Sequence, residues 1–111
     1  MALDMRDAMS QETLRAERFE LVDRHGNPRA VLACDGDSGA PTCTFLDGSG
    51  QTRVTVGLAW NDMPSIQLNA ADGTARVAMI VRPDDSGMML VVDDGGAKTV
   101  VTSAGAVREE Q

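Results

Sequence analysis

The chain has 111 residues, 17 of them acidic and 10 basic, a net charge of −7, no tyrosine, 2 phenylalanines and 1 tryptophan. That length is one domain, whose core has to be filled by Val, Leu, Ile, Met and Ala. The negative charge repels phosphate backbones and anionic lipid, which argues against nucleic-acid partners and polybasic membrane attachment, and no apolar run is long enough for a membrane helix.

Residues 1–17 read as a lead-in segment. Leu3, Ala8, Met9 and Leu14 are loosely spaced for the apolar stripe of a short helix, with Ser10 as a capping residue; an extended lead-in is the alternative. The segment has no secretory cleavage pattern, so the expected location is cytoplasmic.

From residue 18 the chain reads as short strands joined by turns. Phe19 and Leu21 alternate with polar residues, then Asp23-Arg24-His25-Gly26 supplies a corner, and Arg29 follows on the returning strand. Asp at the first turn position accepts hydrogen bonds from amides further on, while Gly at the fourth takes the left-handed conformation that closes a hairpin. His25, the only histidine, then reads as an exposed turn residue. Ala30, Leu32 and Cys34 continue the returning strand, and the loop "CDGDSG" brings Asp35 and Asp37.

The second unit repeats the plan with Cys43 and Phe45, a corner from Asp47 to Gly50, Arg53, and then Val54, Val56 and Leu58. Its acidic loop "WNDMP" contains Trp60 and Asp62. The third unit has Ile66 and Leu68, then Ala70 in place of the first Asp, with Asp72 before Gly73. Arg76, Val77, Met79 and Val81 follow, and the loop "RPDDSG" brings Asp84 and Asp85. The fourth, fainter unit runs through Met89, Val91, Asp93 and Gly96 to Thr99, leaving "GAVREEQ" as a short flexible tail.

Gly26, Gly50, Gly73 and Gly96 are 24, 23 and 23 residues apart. A period of that size marks a repeat architecture whose units lean on one another. The expected fold is therefore all-β: four consecutive β-hairpin repeats over 18–111, in a meander or prism-like assembly. A parallel solenoid with one coil per unit is the second possibility. Aligning the units also places Cys34 with Leu58 and Val81, and Cys43 with Ile66 and Met89. Both cysteines therefore read as small packing residues, with a disulfide or a metal pair as alternatives.

If the simple turn register holds, Leu21 lies opposite Arg29. Arg29, Arg53 and Arg76 would then stack as a ladder of ion pairs with the corner aspartates; a phosphate-binding row is the sharper alternative. In the same register the returning strands turn their apolar residues away from Leu21, giving each hairpin two apolar faces. Leu32, Val54, Val56, Val77 and Met79, with Trp60 at a loop, become candidate contacts between copies. The expected assembly is a homo-oligomer, a trimer before a dimer.

Residues 14–32, "LRAERFELVDRHGNPRAVL", resemble the start of uncharacterised small bacterial β-repeat proteins built from Phe-x-Leu-x-Asp-x-x-Gly-x-x-Arg units. The resemblance extends over roughly residues 14–104, most clearly in the first two units. It implies a β-repeat fold and brings no activity, no cofactor and no catalytic residue. Those relatives often carry a hydrophobic or coiled segment ahead of the repeats, where this chain has a short polar lead-in.

Enzyme signatures are missing: no nucleophile–base pair, phosphate loop or metalloprotease helix is legible. The leading functional reading is a non-catalytic self-associating module without a cofactor. A small-ligand or calcium-binding module, resting on Trp60 and on Asp35, Asp37, Asp62, Asp84 and Asp85, is the second. A small β-barrel enzyme acting by pocket shape is the third.

Overall fold

Alternating apolar residues bounded by Asp/Gly corners make strands. The computed structural model, which describes residues 12–109, arranges nine of them in one sheet. They are β1 (Arg18–Val22), β2 (Pro28–Cys34), β3 (Pro41–Leu46), β4 (Thr52–Ala59), β5 (Met63–Asn69), β6 (Ala75–Val81), β7 (Gly87–Val92), β8 (Lys98–Thr102) and β9 (Gly105–Glu109). Their order in space is their order in sequence, and every pairing is antiparallel. This excludes the parallel solenoid. Its physical reason is connection length: the short corners can join only antiparallel neighbours, because a parallel crossover needs about a dozen residues or more.

The corner at Asp23 shows how these connections close. Gly26 N–H donates to the Asp23 carbonyl and Asp23 N–H to the Asn27 carbonyl, both at 3.0 Å. The Asp23 carboxylate accepts from the amides of His25 and Asn27. Gly26 has φ 86°, where a Cβ would be strained. The same two backbone bonds close the corners that start at Asp47, Ala70 and Asp93. Ala70 lacks the capping carboxylate, and there Asp72 accepts from the Thr74 amide instead.

Just beyond three of these corners the ladder slips by one residue. Leu21 pairs with Ala30 while Val22 pairs with Pro28, so Arg29 has no partner across the strand; Arg53 and Arg76 stand in the same position. The fourth corner, followed by Lys98 and Thr99, keeps a regular register. The expected pairing of Leu21 with Arg29 is thus corrected, and the faces change with it. A one-residue slip moves every later side chain to the other side of the sheet.

Leu32 now lies opposite Phe19 and Cys43, Val54 opposite Phe45 and Leu68, and Val56 opposite Cys43 and Ile66. Val77 faces Leu68 and Val91, while Met79 faces Ile66 and Met89. Directly opposed residues share a face. These residues of β2, β4 and β6 therefore add to the face of Phe19 and Leu21. The reverse side is mixed: Val31 stands between Glu20 and Thr44, Thr55 and Gln67 continue that row, and the side turns apolar toward Ala78, Ile80, Met88, Leu90 and Val100.

Two terminal expectations also change. Residues 105–109, read as part of a flexible tail, form β9 against β8. Residues 12–17 are not helical, and the remainder of the expected lead-in helix lies outside the described residues.

A single sheet has no interior. Among the described residues only Ala97 is a buried hydrophobe. The radius of gyration is 18.3 Å, against about 13 Å for a compact domain of this length. The accessible surface is 8364 Å², where a compact monomer of this mass exposes roughly 5,900 Å².

Candidate self-association face

The apolar face is organised in rows across the strands. Its central row runs from Phe19 through Leu32, Cys43, Val56, Ile66, Met79 and Met89 to Val101. A second row, nearer the corners, contains Leu21, Phe45, Val54, Leu68, Val77 and Val91. A third, near the opposite loops, pairs Cys34 with Pro41, Leu58 with Pro64 and Val81 with Gly87. Of the 13 large hydrophobic residues that stand exposed among the described residues, 10 belong to this face, including Leu32 at 49 %, Val56 at 39 % and Met79 at 43 %. Soluble monomers seldom expose so continuous an apolar patch. Val54 and Val77 are half-buried by their neighbours on the sheet.

The corners stack along one margin of the sheet, where the three arginines tie successive hairpins. Arg29 Nε donates to the Leu46 carbonyl at 3.2 Å, and its guanidinium lies 3.9 Å from Asp23 Oδ2. Arg53 Nε donates to the Asn69 carbonyl at 2.8 Å, and its Nη1 to Asp47 Oδ2 at 3.5 Å. Arg76 donates to the Asp93 carbonyl. The Asp93 carboxylate is met by Arg108 of β9 at 2.9 Å. These donors are aimed at carbonyls and corner carboxylates, which favours the structural ladder over a phosphate row; exposed ion pairs of this kind are weakened by solvent screening.

The corner carboxylates feel this environment. The Ser49 hydroxyl, donating to Asp47, holds its pKa down to about 2 against the unfavourable effect of partial desolvation. Asp72 and Asp93 are also lowered, the first by Thr74 and the second chiefly by Arg108. Asp84 is lowered by hydrogen bonds from Ser86.

The opposite margin holds the acidic loops. Asp35 accepts from the Asp37 amide and Asp84 from Ser86, so these two carboxylates are employed in closing their own loops. Asp62 ends the short 3₁₀ turn Trp60–Asp62, and Asp85 adopts φ 67° in its loop. Among the described residues no three carboxylate, thiol or imidazole groups converge as metal ligands. A shallow cleft of about 510 Å³ lies between two of these loops, lined by Asp35, Ser38, Thr42, Leu58, Asn61 and Asp62 among others. The Trp60 side chain lies outside the described part of the structure. Cys34 and Cys43 are free thiols on the apolar face, in the rows their sequence alignment indicated. His25 is exposed at its corner.

The apolar residues are legible in the sequence, but the simple turn register divides them between two faces. The missed signal was the arginine itself: where Arg follows the corner the register slips, and where Lys98-Thr99 follows it does not.

No protein-family model matches this chain, and no curated protein is similar to it at a significant level. Among the described residues no helix is long and apolar enough to cross a membrane.

Proposed function

We propose that the protein is a non-catalytic structural module that works by associating with copies of itself through the apolar face. The observation that carries this reading is a nine-stranded sheet whose apolar side has no second layer within the described chain. Domains are stable when such a face is buried against another layer. A second copy brings an identical face, and closed symmetry buries both equally.

Within this reading the 23–24-residue units are a true hairpin repeat, as in the bacterial β-repeat proteins that residues 14–32 resemble. Three copies form a prism with their apolar faces inward. Strands of about six residues span roughly 20 Å, so a three-sided prism of that width places each sheet about 6 Å from the axis, close to half the ~10 Å spacing of packed sheets. The central row suits that axis, since beyond Phe19 at its end it contains aliphatic, Met and Cys side chains and no aromatic ring.

Light scattering on a sizing column tests the proposal. Three or six copies of the 11.7 kDa chain support the prism, whereas two or four support a face-to-face sandwich. A folded monomer that persists at high concentration removes self-association altogether. Val56→Asp, placing a charge in the centre of the face, should lower the assembled mass; an unchanged mass puts the contact elsewhere.

A further inference from the structure

Among the described residues the sheet also leaves its first edge open, since β1 pairs with β2 on one side only. In an antiparallel ladder alternate residues turn both backbone groups toward the same neighbour. Cys34 N–H donates to the Glu17 carbonyl at 3.3 Å. Glu17, Phe19 and Leu21 therefore face β2, while Arg18, Glu20 and Val22 offer their amides and carbonyls to the free edge. Such an edge is a template for another strand.

We infer that β1 pairs antiparallel with β1 of a second copy, with Phe19 opposite its counterpart. Strand parity selects like-with-like pairing. With nine antiparallel strands β1 and β9 run in the same direction. A head-to-tail ring with its axis along the strands would have to join β1 and β9 in parallel, unlike every pair in the sheet. A two-fold axis through the edge keeps the junction antiparallel.

Charge then selects the register. Registers must bring outward-turned residues of both copies together. One of them sets Arg18 against its counterpart and another sets Glu20 against its counterpart, and like charges directly opposite are destabilising. The register centred on Phe19 sets Arg18 against Glu20 in both directions. These two side chains already share a face, 2.8 Å apart and partly exposed. Pairing would close four alternating charges on one side and an aromatic pair on the other. Edge lysines repel any incoming strand; this Arg–Glu alternation rejects the neighbouring registers and accepts one. The β9 edge has no such complement, because its outward-turned residues are Ala106 and Arg108.

This pairing is independent of burial of the apolar face, since a two-fold axis perpendicular to the sheet leaves that face open on both copies. Arg18→Glu and Glu20→Arg provide the test, as each alone makes every charge at the junction alike. Each purified variant, its strand content checked by circular dichroism, should have half the wild-type mass in light scattering. An equimolar mixture should regain the full mass, because opposite charges then meet only between copies. Single variants of wild-type mass, or a mixture that stays at half mass, overturn the proposal. If either variant fails to fold, Phe19→Cys on a Cys34→Ser/Cys43→Ser background decides it. Mild oxidation should then link two chains by a disulfide, and a chain that stays unlinked overturns the pairing. Val56→Asp separates the two interfaces: loss of the face contact alone should leave a two-copy species joined through β1.

Discussion

Gly50 and Gly48 stand two residues apart in one corner and have different tasks. Gly50 has φ 88°, whereas Gly48 is not in the left-handed region, and an added Cβ at either position meets no atom within 4 Å. Conformation alone therefore separates them. Gly50→Ala should cost about 1–2 kcal/mol and Gly48→Ala much less, so thermal melting should rank the two variants; equal melting temperatures would contradict the corner geometry. Asp47 in the same corner carries the acid sensitivity. Its folded pKa of about 2 lies below the ordinary value of 3.8, so the unfolded chain binds the proton more readily. Its stabilising effect is complete above pH 3.8 and is lost as pH falls through about 2. Melting temperature should fall across that window, and Asp47→Asn should flatten the slope. Carboxyl NMR of Ser49→Ala should show Asp47 titrating at higher pH, since the hydroxyl is the largest cause of its shift.

Among the strand glycines, the one with least room for a side chain is Gly57, where β4 passes β3. A Cβ on Gly57 would lie 2.4 Å from the Pro41 carbonyl oxygen and 2.8 Å from Thr42 Cα, both backbone atoms that cannot turn aside. A strand glycine at such a place lets two backbones come close. Gly57→Ala should force these strands apart at about 1–3 kcal/mol, visible as faster amide exchange in β3 and β4. Gly87→Ala is the control, because its Cβ meets nothing within 4 Å and no positive φ strains it. That variant should melt near the parent temperature. The arginine ties act at this same scale, since each connects one corner to the backbone of a neighbouring hairpin.

At the scale of the whole molecule, stability and association are one question. A sheet with a single buried hydrophobe among its described residues lacks the layer-on-layer burial that offsets conformational entropy. The melting temperature should therefore rise with protein concentration, as mass action requires when association stabilises the folded state. A concentration-independent melting curve would argue that the sheet is stable alone. Millimolar calcium followed by chelator should leave the melting point unmoved, because the acidic loops do not gather three ligating side chains among the described residues. A rise that grows with calcium concentration would restore the binding-module reading.

Local chemistry made much of this molecule legible in its sequence. Alternation of apolar residues gave the strands, and Asp and Gly at fixed places gave the corners, because both depend on neighbours within a few residues. The apolar membership of Leu32, Val56 and Met79 was equally plain. Which side they occupy was not, since one unopposed residue at Arg29, Arg53 or Arg76 reverses the outcome and its position depends on a strand pair. Pairing also converted residues 105–109 into β9, where Arg108 meets Asp93 15 residues earlier in the chain. The candidate site followed the same division: composition supplied an apolar surface, and only the register of nine strands joined it into one face.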